Sequence, residues 1–80
     1  MFKNDKITIT YDRENDVAYI HLSSIADGEI TDTRSFDDLP QAEGELNFDF
    51  SKEQVLKGIE ITSASKILST KLLESAKDPR

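Results

Sequence analysis

The chain has 80 residues, with sixteen Asp and Glu against ten Lys and Arg for a formal net charge of −6, and it contains no cysteine. That length accommodates one domain, 1–80, and buries only roughly 60% of the surface of the unfolded chain, while the missing cysteines exclude disulfides, thiolate zinc ligands and a thiol nucleophile. The acidic balance disfavours a protein that grips phosphate backbones, so no nucleic-acid partner is expected.

From Lys6 to Asp12, Ile7, Ile9 and Tyr11 alternate with Thr8 and Thr10, the pattern of a half-buried strand. Asp12-Arg13-Glu14-Asn15-Asp16 supplies turn chemistry, and Val17 to Leu22 resumes as the second arm of a hairpin. Both faces of that second strand are partly apolar, Ala18, Ile20 and Leu22 on one and Val17, Tyr19 and His21 on the other, which suits a central strand or one lying against another subunit. After an Asp27-Gly28 turn, Glu29 to Phe36 alternates weakly and reads as an edge strand. Asp32 and Arg34 there would discourage edge-to-edge aggregation. A loop over 37–44 leads to a second hairpin. Its first arm, Glu45 to Phe50, sets Leu46, Phe48 and Phe50 opposite Glu45, Asn47 and Asp49; its second, Val55 to Ile61, carries Gly58, which marks a bulge or the close approach of a backbone or aromatic ring.

Thr62 and Ser63 offer N-cap hydroxyls, and Ala64, Ile67, Leu68, Leu72 and Ala76 then recur at the spacing of one helix face, with Leu73 just off the stripe. The fold class expected is α+β: an antiparallel meander of about five strands with one C-terminal amphipathic helix over 63–76 packed on the sheet. The folded core spans 6–76, and 1–5 and 77–80 are frayed ends. The amino terminus lacks an apolar signal region and no stretch approaches eighteen apolar residues, so a cytoplasmic protein with no membrane partner is expected.

The chemistry is sparse. Asp12, Glu14 and Asp16 fall at alternate positions as in a calcium loop, but the sixth and twelfth positions hold Val17 and Ser23 where glycine and a bidentate glutamate are needed, leaving a solvated turn capped by Asp12 and Asn15. His21 is the one side chain with an ordinary pKa near neutrality, yet no nucleophile or triad spacing accompanies it. Asp49 and Glu60 are carboxylates inside otherwise apolar strands, and alternation lets each face solvent or accept hydrogen bonds. No catalytic residue, cofactor site or metal site is assigned. The candidate functional or interface residues are Asp12, Asp16, Tyr19, His21, Gly58 and Glu60.

Taken together, Ile9-Thr10-Tyr11-Asp12, Asp16-Val17-Ala18-Tyr19-Ile20-His21-Leu22, Gly58-Ile59-Glu60-Ile61 and Ala64-Ser65-Lys66 give a chain that resembles the small bacterial family catalogued as domain of unknown function 2283. The resemblance runs from about Ile7 to Leu68. Members usually have an aspartate- and glycine-rich turn before the last strand, where this chain has Ser51-Lys52-Glu53-Gln54, and its middle loop is longer. The resemblance implies a meander-plus-helix fold and no established activity. Some members look like the smaller partners in toxin-antitoxin gene pairs, beside a small basic toxin.

The reading is therefore a small protein-interaction domain, homodimeric, and an antitoxin-like binder of a cationic protein partner. The alternative is a small-ligand or metal-dependent enzyme module centred on His21. One helix can cover only one face of a sheet, so Val17 and Tyr19, or the Phe48 and Phe50 row, are expected to seek cover from a second subunit.

Overall fold

The computed structural model describes residues 7–40 and 43–79. The expectations of a first strand starting at Lys6, of fraying at 1–5 and Arg80 and of a loop through Gln41 and Ala42 fall outside the described residues. Five strands, β1 (Thr8–Asp12), β2 (Val17–His21), β3 (Ile30–Phe36), β4 (Leu46–Ser51) and β5 (Leu56–Thr62), precede two short helices, α1 (Ala64–Ile67) and α2 (Thr70–Ser75). The strands form one antiparallel sheet in the order β1-β2-β5-β4-β3.

That order corrects the expected meander. The chain does not pass from β2 to its neighbour; it crosses to the far edge, lays down β3, and returns through β4 so that β5 enters between β4 and β2. Composition gives the physical reason. β5 is covered on both faces, with Ile61 buried on one and Gly58 on the other, whereas six of the seven residues of β3 are exposed and suit only an edge. The crossover turns at Ala26–Glu29, where the Glu29 N–H donates to the Ala26 carbonyl at 3.0 Å and Gly28 takes the left-handed φ of 75° that the turn requires.

The register puts Tyr11, Ala18, Ile61 and Leu46 in one row across the sheet, with Ile9, Ile20, Ile59 and Phe48 beside it. The core sits on this face: Ala18, Ile61, Ala64 and Leu73 are buried, with Tyr11, Ile20, Leu46, Ile59, Ile67 and Leu68 packed around them. It is a small core, and no large side chain in it is fully enclosed.

The single helix expected over 63–76 is broken. Leu68 (ψ 152°) and Ser69 (ψ 149°) are extended, and the Ser69 hydroxyl accepts the Leu72 N–H at 3.2 Å to start α2 anew. Ser65, Ile67, Ser69 and Thr70 are all weak helix formers, so a serine that caps locally outcompetes helical continuity. The break shifts the helical phase, and Leu73, off the sequence stripe, becomes the buried leucine in place of Leu72. Nor do Thr62 and Ser63 cap α1. The Thr62 hydroxyl accepts the Glu45 N–H at 2.8 Å, and Ser63, at φ 50°, makes no side-chain cap bond. Finally Lys77, read as part of a frayed end, is hydrogen-bonded to the outer edge of β1: the Tyr11 N–H donates to its carbonyl at 2.8 Å and its own N–H to Ile9 at 2.9 Å.

Candidate functional site

Asp12 ends β1 and Asp16 closes the turn that leads into β2, and of the two Asp12 works locally. One Asp12 carboxylate oxygen accepts the N–H groups of Glu14 and Asn15, and the other accepts the Asn15 side-chain amide at 2.8 Å. Asp16, at φ 56°, reaches across the fold. Its carboxylate accepts the Tyr11 hydroxyl at 2.7 Å, the Ser65 N–H at 2.9 Å and the Ser65 hydroxyl at 2.7 Å, and its carbonyl accepts the Ala64 N–H. Burial pushes this carboxyl up, but the bonds from Tyr11 and Ser65 and the nearby Lys66 charge outweigh it and hold Asp16 below its ordinary value. It clasps the first turn to Tyr11 of β1 and to the start of α1. The motif Ala64-Ser65-Lys66 is thereby explained as the other half of a structural latch.

The other four candidates lie together on the sheet face away from the core. Alternation and register assemble two rows there, Thr10, Tyr19, Glu60, Asn47 and Ser35 in one, and Thr8, His21, Gly58, Asp49 and Thr33 in the next. Gly58 is buried beneath the Tyr19 ring; a Cβ there would overlap the phenol, so the missing side chain is what lets Tyr19 lean from its own row into the next. Its hydroxyl donates to Asp49 Oδ2 at 2.7 Å, and Thr33 donates to Oδ1 of the same carboxylate at 2.7 Å. In the first row the Ser35 hydroxyl donates to Asn47 Oδ1 at 2.6 Å, and Asn47 Nδ2 donates to Glu60 Oε1 at 2.8 Å. Burial, the bond to Asp49 and the charges of Asp49 and Glu60 all raise the Tyr19 hydroxyl above its ordinary 10.0, so it is a fixed donor at neutral pH and no base.

His21 stands edge-on to Tyr19, ring centroids 4.6 Å apart, and lines a shallow groove of about 550 Å³ with Thr8, Ser23, Ile25 and Ile30 at the mouth of the crossover. No hydrogen bond or ion pair among the described residues engages its ring nitrogens. A second groove, about 420 Å³, opens on the opposite side of the sheet beside Asp32, Arg34 and Phe50, away from all six candidates. Among the described residues no three of His, Asp and Glu gather into a group that could hold a metal ion.

Nothing in the sequence singles out Thr33, Asn47 and Ser35 of this lattice, and for Asp49 alternation gives a carboxylate that faces solvent or accepts hydrogen bonds without naming Tyr19 and Thr33 as its donors. Their alternation with Leu46, Phe48 and Phe50 was visible; that Tyr19 reaches Asp49 depends on β5 lying between β2 and β4, which the expected meander order does not give.

The fold and site define a class: a small α+β domain of one five-stranded antiparallel sheet and two short helices, with a hydrogen-bonded polar lattice on one sheet face. The chain belongs to the family described as "Protein of unknown function (DUF2283)", whose model matches residues 8–65, from β1 into α1. No curated protein and no solved structure matches it. Among the described residues no helix is long and apolar enough to cross a membrane.

Proposed function

We propose that the chain is a protein-interaction domain whose polar sheet face receives a cationic segment of a protein partner. The observation that carries this reading is the charge of that face. Its two rows hold the carboxylates of Asp49 and Glu60 and not one lysine or arginine, and the side chains that orient those carboxylates are themselves tied down. A carboxylate has about four acceptor positions, so Asp49 and Glu60 keep capacity for incoming guanidinium or ammonium groups after their internal bonds are made. Because the acceptors are already ordered, a partner loses little of its binding energy to arranging them. The likeness to antitoxin-like partners of small basic toxins agrees with that chemistry.

The test uses an arginine-rich peptide and an equally charged glutamate-rich control, followed by amide chemical shifts. Perturbation by the basic peptide centred on residues 19, 47, 49 and 60, and abolished by Glu60→Lys, supports the reading. Perturbation centred on the acidic turn at 12–16 and untouched by Glu60→Lys is nonspecific charge attraction and sinks it.

A second reading rests on the unengaged imidazole in its groove: His21 as the anchor of a small ligand or of metal-dependent chemistry. It predicts that His21→Ala abolishes a ligand-induced rise in melting temperature found in a small-molecule and divalent-metal screen. A screen without hits removes it.

A further inference from the structure

The two edges of this sheet are treated differently. Along β1 the outer edge is occupied, because the backbone of Lys77 exchanges hydrogen bonds with Ile9 and Tyr11. Along β3 nothing among the described residues pairs with the outer edge, although β3 shares the greatest strand length, seven residues, with β5. An unpaired edge of that length is a template for another strand, and proteins that keep one unpaired usually defend it with charge.

The charges on β3 have a more particular arrangement. Asp32 and Arg34 lie on the core-side face, opposite Phe50 and Phe48 of β4, two positions apart with Thr33 between them. They are bonded to each other within the strand, Arg34 Nε to Asp32 Oδ2 at 3.0 Å, and both are exposed. Two antiparallel copies of one strand related by a two-fold axis must have that axis perpendicular to the sheet, so each protomer keeps its faces and the axis passes through one residue paired with its own copy. A centre at Asp32 sets two aspartates against each other, and a centre at Arg34 sets two arginines together. A centre at Thr33 alone sets Asp32 opposite the partner's Arg34 and Arg34 opposite the partner's Asp32. The residue at the axis is then an uncharged threonine.

We propose that the chain forms a homodimer by antiparallel pairing of β3 with β3 of a second copy, centred on Thr33, to give one continuous ten-stranded sheet. The charges expected from the sequence to repel edge pairing instead reject the neighbouring registers and admit this one. The occupant is a second copy because the pattern is complementary to itself. The pairing also covers Phe36, 48% exposed at the end of the same strand, in a chain whose described residues bury an apolar core of only four. This inference does not depend on the cationic partner, whose surface is the other sheet face; the polar lattices of the two protomers would run together on one side.

Sedimentation equilibrium over micromolar to millimolar concentrations tests it. Wild type is expected to approach twice the 9.0 kDa of one chain. Asp32→Arg and Arg34→Asp, both at exposed positions and checked for folding by circular dichroism, each place like charges opposite one another and are expected to weaken association at least tenfold. The double variant Asp32→Arg/Arg34→Asp restores opposite charges and the dimer. The absence of native cysteine gives a second readout of register: Thr33→Cys joins two chains through a short thiol crosslinker, whereas Ser35→Cys, opposite the partner's Thr31, does not. A wild type that stays at 9.0 kDa throughout, a dimer indifferent to the single exchanges, or equal crosslinking at 33 and 35 overturns the proposal.

Discussion

Gly58 is set apart from the other glycines by what lies on it. A methyl group at this position would overlap the Tyr19 ring and hydroxyl, so the ring must shift to admit it. Gly58→Ala should therefore cost about 1–3 kcal/mol in urea unfolding, the usual range for overpacking, and should free the Tyr19 hydroxyl from Asp49. In a Tyr19→Ala background the same change should cost far less; an unchanged cost would show that the glycine serves its backbone and not the ring. Ionisation gives a second set of expectations. Asp16 titrates below its ordinary 3.8 in the folded protein, so its stabilisation is present at neutral pH and lost as pH falls from about that value through the lower folded one. Asp16→Asn, which tolerates the left-handed backbone, should lower stability at pH 7 yet flatten the acid limb, and a parallel acid limb would deny Asp16 its role. Tyr11 and Tyr19 titrate above 10.0 when folded, Tyr11 chiefly through its bond to Asp16 and Tyr19 chiefly through burial. Their contribution holds below pH 10 and fades as pH rises through the folded values, so absorbance titration near 295 nm should show phenolate appearing later than in the denatured chain.

At the scale of elements, the strands are legible because alternation with period two survives in each, and a glycine inside β5 is itself the sign of a bulge or a close approach there. The helix was not legible to the same degree. The spacing of Ala64, Ile67, Leu68 and Leu72 assumes unbroken helical phase, and the competition at Ser69 between capping and continuation is decided by a few tenths of a kcal/mol per residue, which pattern alone does not weigh. The distinction is measurable. Leu73→Ala, at a side chain 5% exposed, should cost about 2–5 kcal/mol, while Leu72→Ala, only half-buried, should cost distinctly less. The opposite order would restore the single helix. The functional elements divide along the same line. Asp12, Asp16, Tyr19, His21, Gly58 and Glu60 could all be picked out as unusual, but only strand order separates the two that brace a turn from the four that share a surface. Strand order is a property of long-range pairing that local periodicity does not encode.

For the whole molecule, length and charge constrained domain number and solubility but left topology open, since a meander and the observed order use the same strands, turns and lengths. The difference has consequences for how the protein comes into being. The β1–β2 hairpin comes first in the chain, yet the inner edge of β2 pairs with β5, the fifth strand in chain order. Until β5 is made, β2 has one side unpaired, β4 lacks its inner neighbour, and neither Ile61, Ala64 nor Leu73 is present to enclose Ala18. Among the described residues no partial sheet short of β5 has this core, so folding is expected to wait for β5 and to be cooperative. A fragment ending at Gln54 should give the collapsed amide spectrum of an unfolded chain, and adding the remaining residues from Val55 onward as a separate peptide should restore dispersion; a dispersed spectrum from the first fragment alone would refute this. The emerging chain thus carries an open strand edge until β5 is made. The nascent β2 edge is where this sequence is expected to meet mispairing and chaperones, and β5 is the strand that ends that exposure.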